Sequence, residues 1–391
     1  MKHSDDLRHL AECGSCRQQF ARNVVPFDAA RRHEGALKFA AAAARLDHER
    51  SETADIAARQ LRDTPQADWP RLAESKALRN NAALEQISEE VRKRLERDPA
   101  QALAVADLAA TIAATIPSST YPPLVIAQIR STAFRDRANA LRYLGRLDEA
   151  YDAVETAESQ LSEFPGAVHD RATIWFVKAM ILAQMDHYPE AEQMITAASV
   201  IFADVNDSVR FLQAGLVYGN LLGRQERYAE AETIFCDLLT VAVSSRDVET
   251  EARLHNNLGY CYVNLGDYTK ANIHFSQSIA KFTDLGFAAE IARTERGAGV
   301  LLVGKGQFDL GCSRLREARA AFTKLQMPEE AGLCALRLIE AMIERGEIDE
   351  ARDLSATVID QFTAAMLDTR AIDAVVRLRQ SLDADGATAE A

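Results

Sequence analysis

Apolar positions along the chain recur with a period of about forty residues. A large apolar residue stands at Leu147, Tyr188, Tyr228, Tyr268, Phe308 and Ile348, and three positions after each comes a small one: Ala150, Ala191, Ala231, Ala271, Gly311 and Ala351. The small residues are spaced 41, 40, 40, 40 and 40 apart, the self-similarity of a repeat array. Twelve residues before each lies a second small position, Ala138, Ala179, Gly219, Gly259 and Gly299, with Ile339 the exception. Two small sites per period mark where helix backbones approach closely. Between them Gly145, Gly266, Gly306 and Gly346 fall where a helix ends in a left-handed residue; Asp186 and Glu226 depart from this, and Pro189 sits in the first turn of the following helix. The pattern predicts one helical hairpin per period. Breaks such as Phe164-Pro165-Gly166, Asp204-Val205-Asn206-Asp207 and Met327-Pro328 join one hairpin to the next.

Composition supports an all-α chain. The 391 residues include 68 alanines against 18 glycines and 10 prolines, so helices can run uninterrupted. No apolar run reaches the roughly 18–20 residues that span a bilayer, and the charged start Met1-Lys2-His3-Ser4-Asp5-Asp6 has no apolar segment of the secretory kind. A cytoplasmic location and no membrane partner are expected. The net charge of −13 is uneven, with 18 Lys/Arg against 17 Asp/Glu in residues 1–100 and 27 against 41 in the remainder. Such an acidic array would repel phosphate backbones, so it is not expected to bind nucleic acid.

The best copy runs from His255 to Ala271 and carries Leu258, Gly259, Tyr262, Gly266, Tyr268 and Ala271, with Phe275 on the second helix; Trp175 stands four residues before Ala179. These residues resemble the tetratricopeptide repeat in its forty-residue form, over about residues 128–365. Asp98 to Ile116 looks like the second helix of an earlier, degenerate unit. The resemblance implies an α-solenoid, a right-handed superhelix of stacked hairpins with a concave groove that takes a protein or peptide. In that family the first helix of each unit lines the groove. Carried over, the groove positions here are Arg135, Asn139, Gln213, Asn220, Arg253, Asn256, Tyr260, Asn264, Arg293 and Arg296, with Phe176, Met180, Leu216 and Leu336 making other parts apolar. Asn and Arg concentrated between 253 and 296 suit hydrogen bonding to a peptide backbone or a carboxylate.

At the N-terminus His9, Cys13 and Cys16, followed by Arg17, form the one constellation with metal-ligand spacing. On a helix at about 100° per residue all three fall on one face, and one imidazole with two thiolates suits tetrahedral zinc. The pattern resembles the zinc-binding segment of anti-sigma factors, which implies His9, Cys13 and Cys16 as ligands and a sigma factor or other transcription regulator as partner. The family's fourth ligand lies further upstream than this sequence extends; His3, His33 and His48 are the candidates, and a non-metal relic is the alternative.

No phosphate-cradling loop, nucleophile elbow or metalloprotease motif appears, so no enzymatic activity is expected. His169, His187, His255 and His274, and Cys236, Cys261, Cys312 and Cys334, read as structural. The expected organisation is a zinc-type segment over residues 1–27, a helical connector over 28–70, the array with a closing helix over 71–382, and a disordered tail over 383–391. The expected function is a non-enzymatic scaffold that binds a partner in its groove and regulates transcription through the N-terminal segment. The alternative is a peptide-sensing receptor that works through the array alone.

Overall fold

The computed structural model describes residues 50–95, 98–364 and residue 376. The His3, His9, Cys13 and Cys16 motif, the rest of residues 1–49, most of the closing helix expected to end at Leu382 and the tail lie outside the described residues. The chain divides into two compact units, Met1–Glu90 and Val91–Ala391.

In the first unit α1 covers residues 50–63, and α2 (Trp69–Leu72) follows a 3-10 turn over Gln66–Asp68. Pro65 and Pro70 bound a tight corner in which Trp69 is buried and its Nε1 donates to Thr64 O at 3.0 Å. A second 3-10 turn, Lys76–Leu78, leads into α3 (Asn81–Arg94), whose last turn, from Val91, belongs to the second unit. Asn80 Oδ1 accepts from Ala83 N at 2.9 Å and so satisfies one of the free donors at the start of α3.

The second unit is a succession of antiparallel helices. First comes α4 (Pro99–Thr115), opened by Asp98, whose carboxylate accepts from Gln101 N at 2.9 Å. Six hairpins follow: α5 (Pro123–Tyr143) with α6 (Leu147–Ser159), α7 (Val168–Gln184) with α8 (Tyr188–Asp204), and α9 (Ser208–Arg224) with α10 (Tyr228–Ser245). Then come α11 (Val248–Asn264) with α12 (Tyr268–Leu285), α13 (Ala288–Gly304) with α14 (Phe308–Lys324), and α15 (Pro328–Glu344) with α16 (Ile348–Ala364). Each helix packs on its sequence neighbours, and successive first helices also touch. The described residues are helical with no strand, and the fold is an all-α solenoid.

The turns repeat one geometry. Gly145, Gly266, Gly306 and Gly346 are left-handed, with φ from 71° to 77°. Asp186 and Glu226 adopt the same conformation, at 62° and 60°, so those hairpins keep the turn without its usual glycine. Three residues after the helix end an N–H closes a six-residue ring back into the last turn, as in Asp267 N to Tyr262 O at 2.9 Å and Gln307 N to Leu302 O at 2.9 Å. Four of the five corners between hairpins do likewise, with Asn206, Arg246, Gly286 and Gln326 left-handed.

The small positions are where large second-helix side chains enter. A Cβ on Gly219 would lie 2.3 Å from the Phe235 ring, and one on Gly259 would lie 2.5 Å from Phe275. Phe202, Phe235, Phe275, Phe282 and Phe322 are among the largest fully buried side chains. Their burial from water drives the stacking.

Candidate binding face of the array

The first helices α5, α7, α9, α11, α13 and α15 carry the residues read from the sequence as groove-lining, and each helix presents them one or two turns apart. On α5, Arg135 turns to Asp136 at 2.7 Å and reaches Thr173 on α7 at 3.2 Å, while Asn139 Oδ1 accepts from Arg142 at 3.0 Å. On α9, Gln213 and Asn220 are exposed, and Asn220 Oδ1 accepts from Asn257 Nδ2 at 3.0 Å. A hydrogen bond between two neutral side-chain amides therefore ties α9 to α11.

From α11 onward the ties become ionic. Arg253 lies 3.1 Å from Glu249 and 3.2 Å from Glu290 on α13. Arg293 donates to Glu290 at 2.8 Å and, across to α15, to Glu330 at 2.6 Å; Arg296 takes the second Glu330 oxygen at 2.5 Å. The structure thus brings Arg253, Arg293 and Arg296 into one chain of alternating charge that bridges three first helices. Burial alone would raise the Glu330 carboxyl, but Arg296 and Arg293 outweigh it and hold the pKa below the ordinary value. Burial likewise works against the Arg296 charge, and Tyr260 and Glu330 more than offset it.

Tyr260 sets its ring edge-on to Phe275 at 5.4 Å and donates to Arg293 O at 3.3 Å. Asn264 is exposed and bonds Tyr260 O at 2.9 Å. Asn256 has its Oδ1 buried with no hydrogen-bond partner. Sequence reasoning missed Glu290 and Glu330, which lie just before the lining positions. The acidic residue at the start of α13 and α15, one turn before Arg293 and opposite Arg293 and Arg296, was the available signal.

Three of the four histidines have local partners. His169 Nε2 is 3.0 Å from Asp207 Oδ2, and His255 Nδ1 is 2.9 Å from His274 Nδ1. Burial pushes the Cys261 thiol up to about 12 and Cys334 to about 11, which removes thiolate reactivity at neutral pH. Among the described residues no group of three or more His, Cys, Asp or Glu is placed to hold a metal, and no helix is long and apolar enough to cross a membrane.

One stretch of the array matches a known repeat. Residues 252–280 match the tetratricopeptide repeat. That match takes in most of α11 and the first two thirds of α12, the copy that carries Asn256, Tyr260 and Asn264. No curated protein matches the chain. Among solved structures, a Rap protein complexed with competence and sporulation factor is similar at 16% identity and a TM-score of 0.55, over 86% of this chain and 98% of that one. The apo quorum sensor NprR from B. thuringiensis is similar at 12% identity and 0.53, again over 86% and 98%. A signal-transduction ATPase with a tetratricopeptide repeat sensor from Pyrococcus horikoshii reaches 0.53 at 12% identity, over 83% of this chain and 51% of that one. These likenesses show a shared fold.

Proposed function

We propose that this chain is a non-enzymatic scaffold that binds a protein or peptide along the first-helix face of its tetratricopeptide-type array. One observation carries the reading: Asn220, Asn256, Asn257, Tyr260 and the Arg253–Arg296 charge chain concentrate polar groups on α9 to α13, and Asn256 keeps a buried acceptor without a donor. A partner main-chain N–H would satisfy that acceptor. Asn256→Ala combined with Arg296→Ala should abolish capture of the partner by the full chain while the helical circular dichroism is kept. Undiminished capture would refute the assignment of this face.

A peptide-sensing receptor is the second reading, and the likeness to a Rap protein crystallised with competence and sporulation factor and to the quorum sensor NprR favours it. In that case the Cys13 motif plays no part. The finer reading adds zinc at His9, Cys13 and Cys16, with His3 as a candidate fourth ligand, and a sigma factor or other transcription regulator as partner; it rests on the sequence resemblance. Metal analysis of untagged protein purified under reducing conditions separates the two. About one zinc per chain, lost in Cys13→Ser and in Cys16→Ser, is expected for the zinc reading, together with sigma-factor co-purification that disappears on deleting residues 1–60. Metal-free wild type would leave the peptide receptor.

A further inference from the structure

Because successive helices of the array run in opposite directions, the turns within hairpins lie at one end of the helices and the corners between hairpins at the other. The corner end carries an exposed apolar row: Val205, Val243, Val248, Leu285, Phe287 and Leu325 are 36–53% exposed. Phe287 breaks a local rule to be there. In the two preceding hairpins its position holds Asp207 and Asp247, whose carboxylates cap α9 and α11 by accepting from Arg210 N at 3.1 Å and Thr250 N at 3.0 Å. At α13 no side chain makes that bond, and an aromatic residue is a poor substitute for it. The ring lies instead on the buried Phe282, with centroids 6.3 Å apart and planes 21° from parallel, which holds it at the surface. The charges beside this row are also unusual. Arg210 is paired with Asp207 and Lys281 with Glu251, but Asp204, Arg246, Asp284 and Lys324 are exposed and have no ion-pair partner among the described residues. These four stand one to a corner from α8–α9 to α14–α15, so their signs run negative, positive, negative, positive. Asp247, next to Arg246, is half-buried and engaged as a cap.

Reversed, that order reads positive, negative, positive, negative. The edge is therefore complementary to itself when a second one is laid against it end for end, whereas side by side in the same direction like charges meet. We propose that this corner edge is the surface on which a second copy of the chain binds, antiparallel, about a two-fold axis midway between the α10–α11 and α12–α13 corners. Each Arg246 then faces Asp284 of the other copy, and each Asp204 faces Lys324. Phe287 and Leu285 cover Val243 and Val248 across the axis, and Leu325 covers Val205. A second copy fits better than an unrelated partner because the charges and the apolar residues both find their complements within the same edge. The arrangement closes as a dimer, since a two-fold contact uses the same patch on both chains. It leaves the first-helix face, and the reading of that face as a partner site, untouched.

Sedimentation equilibrium of the full chain tests this. A monomer–dimer equilibrium is expected, weakening as salt is raised from about 0.05 to 0.5 M because exposed charge pairs are screened. Phe287→Asp puts back the capping residue of the two preceding hairpins, so it should keep the helical circular dichroism while weakening the dimer about tenfold or more. Arg246→Glu and Asp284→Lys each set like charges against each other at both contacts, and each variant alone should be monomeric. Mixed in equal amounts, the two variants regain opposite charges at both contacts and should form a heterodimer. A wild type that stays monomeric at the highest concentration reached overturns the proposal and gives the edge to a different protein. A dimer that the variants leave intact places the contact elsewhere and overturns it, and so does failure of the mixture to recover a dimer.

Discussion

With their Nδ1 atoms 2.9 Å apart, His255 and His274 can share a hydrogen bond only if at least one ring is neutral. His255 is buried, and burial, followed by the nearby His274, lowers its pKa to about 4; burial lowers His274 as well. Glu251 lies 3.8 Å from His255 Nε2 but is engaged by Lys281 at 2.9 Å. Because the folded-state pKa lies below that of an unfolded histidine, about 6.5, the unfolded chain takes up protons first on acidification. The stability that depends on this pair is complete above about pH 6.5 and is lost as the pH falls toward 4. Thermal midpoints between pH 7.5 and 4.5 should show this loss. It should shrink in His255→Ala with His274→Leu, the residues that α15 and α16 carry at the same register as Ala335 and Leu354. At the turns, Arg246 and Gln326 hold a left-handed backbone at 58° that disfavours a side chain. Arg246→Gly and Gln326→Gly should each stabilise the chain by about 0.5–1 kcal/mol in denaturant titration, part of the roughly 1–2 kcal/mol left-handed penalty being offset by glycine's entropy.

Each hairpin is a volume match between two register positions. Gly219 faces Phe235, Gly259 faces Phe275 and Gly299 faces Leu315. In the last hairpin the pattern inverts, with Ile339 at the first position and Ser355 at the second, both fully buried. Ile339, the exception in the sequence pattern, therefore fits a smaller partner. The same logic fixes the sign of Gly259→Ala. Alanine gains about 1 kcal/mol of helix propensity, but its Cβ would sit 2.5 Å from a buried ring, and overpacking costs typically 1–3 kcal/mol. Net destabilisation is expected, read as a lower midpoint in urea. The hairpins themselves were legible in the sequence because glycine, alanine and aromatic residues mark close contacts directly. The left-handed Asp186 and Glu226 were not, since nothing in those side chains announces their φ. The charge chain was legible only in half: Arg253, Arg293 and Arg296 stood out, whereas Glu290 and Glu330 gained meaning once neighbouring first helices were side by side.

Across the second unit, stability is a sum over neighbours, and what joins them differs from place to place. Between α9 and α11 the inner tie is one amide–amide hydrogen bond, Asn257 to Asn220, whereas α11, α13 and α15 share the Arg–Glu chain. Removing Glu330 would leave two partly buried guanidinium groups without their shared carboxylate. Glu330→Gln should therefore lower the thermal midpoint clearly. Glu340→Gln, which loosens only the exposed Arg337 pair, should change it within about 0.5 kcal/mol. The corners matter in another way. Arg246, Gly286 and Gln326 leave one hairpin and enter the next with φ of 58°, 73° and 58°, forty residues apart. Any two of these joints are interchangeable cut points. Excision of residues 287–326 would splice Gly286 to Met327 with the backbone already bent as the next helix requires, so the shortened chain should still fold cooperatively. The array can thus change length in whole steps without inventing a new connection.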